Sequence, residues 1–248
     1  AETIKINCLN ESDFLTELVQ TLKKTKIKLL LISFPHNPTT LTVDQVFYDN
    51  LIELAEKYNF LIVNDFAYSD IYFDGNKPPS LLSSDKSLSH SVELYSLTKG
   101  FSMAGWRVGF AVGNKDAISS VTKLKSYIDY GTFQPIQIAS TVALNELEEY
   151  PFELSSVYKE RRELIVENLE DLNFSVQEST ATMFVWAKLP EKFRNDSLKF
   201  SLELLEKSNV AISPGVGFGK YGEGYIRIAL VENKQRIRQA MKNIKAAL

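Results

Sequence analysis

Two polar side chains that could do chemistry follow apolar, strand-like runs of the sequence. Asp65 directly follows the run 60–64, and Lys99 lies three positions beyond the run 92–96. Because open α/β sheets bind ligands at the carboxyl ends of their strands, we expect both side chains at a ligand site. A carboxylate there suits a cationic partner such as a protonated ring nitrogen. A partly desolvated lysine suits an imine-forming nucleophile or a general base, although one lysine alone is more simply explained as a surface charge.

Further polar residues occur at comparable places along the chain. Asn37 belongs to an Asn-Pro-Thr turn after the apolar run 27–33, and Arg227 lies within the apolar run 225–230. Ser96 ends the run before Lys99, and Arg107 follows eight positions after that lysine. Arg107 alone could form a salt bridge on the sheet, and Ser96 alone indicates nothing. The ordered set is harder to explain without a common ligand.

Other familiar catalytic and binding motifs are absent from the sequence. There is no phosphate-binding P-loop, no His-Glu-x-x-His and no evident Ser-His-Asp set. The glycines of 215–219 resemble a nucleotide loop, but they come late and open no βαβ unit, so we reject a dinucleotide site. With Cys8, His36 and His90 as the only Cys and His residues, we expect no zinc site and no other metal.

The composition excludes several classes of partner and compartment. The chain has 248 residues, 44% of them hydrophobic, and its 28 basic and 31 acidic residues give a net charge of −3. This balance, without a basic block, predicts neither nucleic-acid nor membrane binding. The lone cysteine cannot form an internal disulfide, which suits a reducing compartment. No apolar run approaches 18 residues and no leader is visible, so we expect neither a membrane span nor a signal peptide, and we predict a cytoplasmic protein.

Alternating strand-like and amphipathic segments predict an α/β fold with a largely parallel sheet for residues 1–150. A change in the order of elements predicts a small α+β domain at 151–248, connected by a long charged helix. We expect a further strand at 3–7, and Thr42 to cap the first helix. The expected strands are 27–33, 60–65, 92–96, 106–112, 183–189, 210–212 and 225–230, and the expected helices are 43–59, 117–127, 135–148, 152–172, 198–207 and 233–247.

Taken in order, these motifs resemble the class I/II pyridoxal-phosphate aminotransferases of fold type I. The matching motifs are Asn37-Pro-Thr39, Asp65-Phe-Ala-Tyr68, Ser96-Leu-Thr-Lys99, Gly105-Trp-Arg-Val-Gly109 and the late Arg227. The resemblance covers essentially the whole chain. Three stretches, 125–137, 183–188 and 213–222, are most similar to bacterial glutamate-pyruvate (alanine) aminotransferases, and the LL-diaminopimelate aminotransferases come a near second.

The resemblance implies a role for each matching residue. Lys99 would hold pyridoxal 5'-phosphate as an imine and move a proton between the substrate α-carbon and the cofactor. Asp65 would keep the pyridine nitrogen protonated, and Tyr68 and Asn37 would hydrogen-bond the phenolic oxygen of the cofactor. The remaining implied contacts are Ser96 and Arg107 with the cofactor phosphate, and Arg227, with Asn37, with the substrate carboxylate.

The implied activity is transfer of an amino group between a small L-amino acid, alanine or glutamate, and a 2-oxo acid, in a homodimer. LL-diaminopimelate aminotransferase activity and a non-catalytic remnant or interaction module are the alternatives. Elimination or decarboxylation on the same cofactor, and a simple sheet-edge binding protein, are more distant ones. No counterpart of the family's N-terminal segment, with its phosphate-binding loop and stacking ring, occurs here, so we expect a partial large domain that is weak or inactive alone.

Residues beside these motifs have simpler explanations. We expect Trp106 and Phe110 in the core and His36 as a turn residue outside the chemistry. For Asp129 and Tyr130, which lie in one of the alanine-type stretches, a place near the substrate or the dimer partner is the less favoured alternative. The glycines of 215–222 are explained equally by turns and by a loop that shapes the approach to Arg227.

Overall fold

The computed structural model describes residues 2–248, and they divide into two compact units. Unit 1 contains residues 2–35 and 42–154, and unit 2 contains residues 36–41 and 155–248. Unit 2 is therefore discontinuous in sequence, with a hexapeptide taken from between two stretches of unit 1. None of the helices in residues 2–248 combines the length and the apolarity needed to cross a bilayer.

Unit 1 is built on a four-stranded mixed sheet. Its strands are β1 (Leu29–Ile32), β2 (Leu61–Asp65), β3 (Ser91–Ser96) and β4 (Gly109–Gly113), in that spatial order. The first three strands are parallel, whereas β4 runs antiparallel to β3. This confirms the α/β class and the largely parallel sheet.

Helices follow or connect these strands. In unit 1 they are α1 (Glu11–Lys24), α2 (Gln45–Tyr58), α3 (Leu97–Gly100), α4 (Lys115–Ile128) and α5 (Gln134–Glu146), and α6 (Tyr150–Glu170) begins there. The predicted helices 43–59, 117–127, 135–148 and 152–172 correspond to α2, α4, α5 and α6 within a few residues. The boundary at 154/155 falls inside α6.

The N-terminal region differs from the expectation. The predicted strand at 3–7 is wrong, because residues 2–10 form neither helix nor strand. The unpredicted helix α1 follows, capped by Asn10, whose side chain accepts from the backbone N–H of Asp13. Its buried face carries Phe14, Leu18 and Leu22, which recur every four residues as a helix requires. At α2 the cap is Asp44, not Thr42.

One face of the unit 1 sheet is buried and the other is open. Leu30 and Ile32 are buried, whereas Leu29 and Leu31, which alternate with them, are 52% and 66% exposed. The predicted burial of Trp106 and Phe110 is wrong, since they are 49% and 43% exposed. The reason for Phe110 is that β4 lies at the edge of the sheet. The predicted strand 106–112 begins only at residue 109, so Trp106 lies on a short 3₁₀ turn that lines an open groove.

Unit 2 contains a small antiparallel sheet packed with helices. Its strands β5 (Ser175–Val176), β6 (Phe184–Lys188), β7 (Ser213–Pro214) and β8 (Tyr225–Ala229) have the spatial order β5-β6-β8-β7. The predicted strand at 210–212 is wrong, because the pairing with β8 starts at residue 213. Helices α7 (Ser197–Ser208) and α8 (Lys234–Ala247) and the rest of α6 complete the unit, and the buried residues Ile165, Val185, Phe200, Ile226 and Met241 belong to its core.

Candidate functional site

The sheet topology brings several predicted site residues of unit 1 to one edge. Strands β2 and β3 are parallel, so Asp65 and Ser96 both end their strands at the carboxyl edge. Strand β4 is antiparallel and pairs Gly109 with Ser96, so it begins at this same edge. Arg107 precedes β4 by two residues and therefore also belongs to this edge.

Both the backbone and the side chain of Asp65 accept hydrogen bonds. Ser33, which follows β1, donates its hydroxyl to the Asp65 carbonyl at 3.1 Å. The Asp65 carboxylate accepts from the Ala67 N–H at 3.2 Å, an interaction that closes the turn after β2. The carboxylate itself is exposed, so it is available to a cationic ligand.

Lys99 and Tyr68 come together within unit 1. The Lys99 Nζ lies 5.8 Å from the centre of the Tyr68 ring, and the ring itself is buried. Helix α3, which carries Lys99, is only four residues long and is capped by Ser96, whose Oγ accepts from the Thr98 N–H at 3.2 Å. Because its oxygen serves as the acceptor in the cap, the Ser96 hydroxyl can still donate to a ligand.

Arg107 is presented by an unusual backbone conformation. Its φ of 52° lies in the left-handed region, at the end of the 3₁₀ turn Ala104–Trp106. The guanidinium is exposed and donates to the Ala104 carbonyl at 3.3 Å. Gly109 then allows β4 to approach β3 closely, since a Cβ there would lie 2.5 Å from the Tyr95 carbonyl oxygen.

The other two predicted site residues, Asn37 and Arg227, meet in unit 2. The Arg227 Nη1 donates to the Asn37 Oδ1 at 2.7 Å, although the residues lie 190 positions apart. Arg227 is on β8, where it pairs with Trp186 of β6. The hexapeptide 36–41 that carries Asn37 is closed by hydrogen bonds between the His36 N–H and the Leu41 carbonyl and between the Thr40 N–H and the His36 carbonyl.

Two aromatic rings enclose the Arg227 guanidinium. Its Cζ lies 4.2 Å from the centre of the Phe184 ring and 4.5 Å from that of Phe218. Trp186 stacks on Tyr225 at 5.1 Å and meets Phe218 edge-on at 6.0 Å, so the Phe218 ring is itself held by a neighbouring ring. We name Phe184 and Phe218 the aromatic clamp. A guanidinium held in this way presents its planar fork in a fixed orientation, which suits bidentate recognition of a carboxylate.

His36 belongs to the structure of its turn. Its Nδ1 lies 2.7 Å from the Thr39 Oγ1, and burial lowers the pKa of the imidazole to about 4. The ring is therefore neutral at neutral pH. A neutral, half-buried ring in the turn agrees with the expected role outside the chemistry.

These donor sets fit pyridoxal phosphate by their chemistry. Unit 1 offers an exposed carboxylate for a ring nitrogen, an amine beside a phenol for a carbonyl carbon, and a hydroxyl and a guanidinium for a phosphate. By contrast, the described residues contain no group of three or more His, Cys, Asp or Glu that could hold a metal ion.

Two residues that contact Arg227, and two that lie close in sequence to predicted site residues of unit 1, were not predicted. Phe184 and Phe218 lie inside motifs that resemble the family, but nothing in their spacing indicates that they flank Arg227. Asp70 and Tyr95 hydrogen-bond to each other, and Asp70 packs against Gly100, the residue after Lys99. The available signal was position alone, because Asp70 follows Tyr68 by two residues and Tyr95 directly precedes Ser96.

Comparison with known proteins gives a consistent set of relatives. A family model described as "Aminotransferase class I and II" matches residues 1–244. Putative aminotransferase AatC of Rhizobium meliloti is 49% identical over 88% of this chain and 54% of its own length. Glutamate-pyruvate aminotransferase AlaC of Escherichia coli is 42% identical over 94% of this chain and 58% of its own length.

Similar proteins also include one with a different named activity and a solved structure. An LL-diaminopimelate aminotransferase of Natranaerobius thermophilus is also 42% identical, over 94% of this chain and 61% of its own length. Among solved structures, apo-BacF from Bacillus subtilis superposes with a TM-score of 0.85 at 34% identity, over 92% of this chain and 60% of that one. The chain thus spans somewhat more than half the length of the relatives that it matches.

Proposed function

Since this chain belongs to the class I and II aminotransferases, a pyridoxal-phosphate-dependent family of fold type I, we propose that it carries out transamination between a small L-amino acid and a 2-oxo acid. The observation that carries this proposal is the convergence of Asp65, Ser96 and Arg107 at one sheet edge, with Lys99 beside Tyr68. If Lys99 were only a surface charge, there would be no reason for Asp65, Ser96 and Arg107 to meet at the same sheet edge.

Each residue of unit 1 has a defined task in this proposal. Pyridoxal phosphate, when bound, supplies an aldehyde that condenses with amines and a ring that accepts electrons from the substrate α-carbon. Lys99 holds the cofactor covalently and, as a free amine, takes a proton from the substrate α-carbon and returns one. Asp65 keeps the proton on the ring nitrogen, and Tyr68 hydrogen-bonds the phenolic oxygen of the cofactor. Ser96 and Arg107 hold its phosphate.

Unit 2 supplies recognition of the substrate carboxylate. Arg227, oriented by the aromatic clamp and by Asn37, binds the carboxylate through two parallel N–H donors. We propose that residues 1–150 are the C-terminal part of the cofactor-binding domain and that 151–248 are the small domain, although residues 36–41 are grouped with unit 2 and the division between the units falls at 154/155.

The proposed assembly is a homodimer in the cytoplasm. Its support is a run of exposed apolar side chains along α4 and the segment after it, including Leu124, Tyr127, Ile128, Tyr130 and Phe133. Exposed apolar surface of this extent is typical of a protein interface. Sedimentation velocity tests the proposal, since a monomer at micromolar concentration would contradict the dimer.

The amino donor has two candidates. The 42% identity to the glutamate-pyruvate enzyme favours alanine and glutamate, and the equal identity to an LL-diaminopimelate enzyme favours that longer substrate. Single-turnover conversion of the cofactor absorbance with each amino acid in turn distinguishes them. We expect L-alanine to react faster than LL-diaminopimelate.

The central experiment follows Lys99 directly. The chain is incubated with pyridoxal phosphate and reduced with borohydride, and the labelled peptides are identified by mass spectrometry. We expect label at Lys99 in preference to the exposed Lys123. In Lys99→Ala, which should melt at an unchanged temperature, the peptide that contains position 99 should carry no label. Equal labelling of both lysines in the original chain would contradict the proposed cofactor site.

A further inference from the structure

A hydrogen bond outside the predicted site connects two loops that carry site residues. The Tyr95 hydroxyl donates to the Asp70 Oδ2. Asp70 belongs to the loop that follows Asp65 and contains Tyr68, whereas Tyr95 directly precedes Ser96 and α3. The bond therefore joins the Tyr68 loop to the segment that carries Lys99.

Asp70 also packs directly against the backbone beside Lys99. A Cβ built on Gly100 would lie 2.6 Å from the Asp70 Oδ2 and 2.7 Å from its Cβ. Real Cβ atoms do not approach other atoms this closely, so only glycine fits at position 100. Gly100 is buried, and it is the last residue of α3.

The orientation of Tyr95 is fixed independently of Asp70. Its ring stacks on Phe110 of β4, with centroids 4.9 Å apart and planes inclined by 26°. Burial, followed by the hydrogen bond and the charge of Asp70, raises the pKa of the Tyr95 phenol well above its usual value. The phenol therefore remains the donor over the whole physiological pH range.

Helix α3 needs such external support. It has four residues, and a single helical turn is unstable in isolation because nucleation is unfavourable. Its beginning is capped by Ser96, and its end is fixed by the contact of Gly100 with Asp70. Lys99 lies between these two points.

We propose that Asp70 and Tyr95 are positioning residues, which hold α3 against the Tyr68 loop and thereby set the place of the Lys99 amine relative to Tyr68. This inference rests on the proposed function for the role of Lys99. The support itself is a property of unit 1 that can be measured without any cofactor.

The first measurement is hydrogen–deuterium exchange of the peptide covering 97–101 in the chain without cofactor. Tyr95→Phe removes one hydrogen bond to a charged acceptor while keeping the ring that stacks on Phe110. We expect exchange of this peptide to become about tenfold faster. Asp70→Ala should do the same, whereas Asp70→Asn, which keeps an acceptor oxygen, should restore part of the protection.

The second measurement is the rate of borohydride-trapped labelling of Lys99 by pyridoxal phosphate, relative to Lys123 in the same sample. We expect Tyr95→Phe and Asp70→Ala to lower this ratio about tenfold, and Asp70→Asn to lower it less. Tyr72→Phe, in the same loop, is the matched control and should leave both measurements within twofold of the original chain. Melting temperatures report whether each variant is folded.

The outcomes distinguish failure of the positioning role of Asp70 and Tyr95 from failure of the proposed function. Exchange and labelling both within twofold of the original in folded Tyr95→Phe would overturn the inference. Faster exchange with an unchanged labelling ratio would assign the pair a purely structural role, which also overturns it. If the original chain shows no preference for Lys99 over Lys123, the proposed function fails, and with it the claim about Lys99, whereas faster exchange would still show the support of α3.

Discussion

Replacing the aromatic clamp should weaken carboxylate binding while leaving the positive charge of Arg227 in place. Phe184→Leu and Phe218→Leu each remove one ring from the guanidinium and keep an apolar side chain of similar size. The contacts that are lost join the Arg227 Cζ to ring centres at 4.2 Å and 4.5 Å. The hydrogen bond from Arg227 to Asn37 is not touched by either change.

The expected magnitude follows from the degree of burial of Arg227. A cation–π contact contributes about 0.5–1 kcal/mol when exposed and about 2 kcal/mol when desolvated, and Arg227 is half-buried. We therefore expect about 1 kcal/mol per ring, or a roughly fivefold rise in KM for the amino acid. If the rings act independently, the double variant should lose about 2 kcal/mol, which is roughly thirtyfold in KM.

The assay is steady-state transamination of L-alanine with 2-oxoglutarate, alongside reaction with ethylamine, which lacks the carboxylate. KM for L-alanine should rise with little change in kcat, and reaction with ethylamine should be unaffected. Phe193→Leu, which removes a ring elsewhere in unit 2, is the control, and thermal melting separates lost packing from lost orientation. A double variant that is folded and whose KM for L-alanine stays within twofold of the original would refute the reasoning.

Two further predictions concern stability. Burial lowers the pKa of His36 to about 4, against about 6.5 in an unfolded chain, so the unfolded state binds the proton more readily. This residue's contribution to the free energy of unfolding should be constant above pH ~6.5 and fall by up to ~3 kcal/mol towards pH 4, and urea denaturation should show a shallower fall for His36→Gln. Gly215→Ala places a Cβ 1.9 Å from the Gly222 carbonyl oxygen and should cost more than about 2 kcal/mol, whereas Gly217→Ala, with open space around it, should cost under about 1 kcal/mol by the same measurement. The first prediction would be contradicted if the free energy of unfolding fell equally with decreasing pH in the original chain and in His36→Gln. The second would be contradicted if Gly215→Ala and Gly217→Ala were equally stable.

The sequence allowed prediction of those site residues whose place depends on a strand end. Asp65 and Ser96 end buried parallel strands, and local hydrophobicity locates such ends. The bond between Asn37 and Arg227 had no local signal, because no pattern in either segment states which distant residue it meets. The resemblance to a family placed both residues at the substrate carboxylate, but it did not predict the hydrogen bond between them. The contact of Asp70 with Gly100 could not be predicted either, because no local pattern indicates that these two residues meet.

The wrong strand at 3–7 and the wrong burial of Trp106 and Phe110 have a shared physical cause. Residues 3–7 have the alternation of a strand, but a strand forms only where a partner strand supplies hydrogen bonds. Trp106 and Phe110 are large and apolar, yet their burial depends on which neighbouring surface is covered. Helix α1 was predictable in principle, since Asn10 caps it and its buried residues, Phe14, Leu18 and Leu22, recur at helical spacing. Local signals of this kind fail for strands more than for helices, because pairing is a long-range property.

The hexapeptide 36–41 has a consequence for how the chain folds during synthesis. Asn37 leaves the ribosome 190 residues before Arg227, which is roughly 10–40 s at about 5–20 residues per second. Until residue 155 has been synthesised, the hexapeptide has none of the rest of unit 2 to pack with, although the segments on either side of it already belong to unit 1. Completion of unit 2 is therefore a late event in translation, and a nascent chain stalled before residue 225 would expose the hexapeptide to proteases and chaperones.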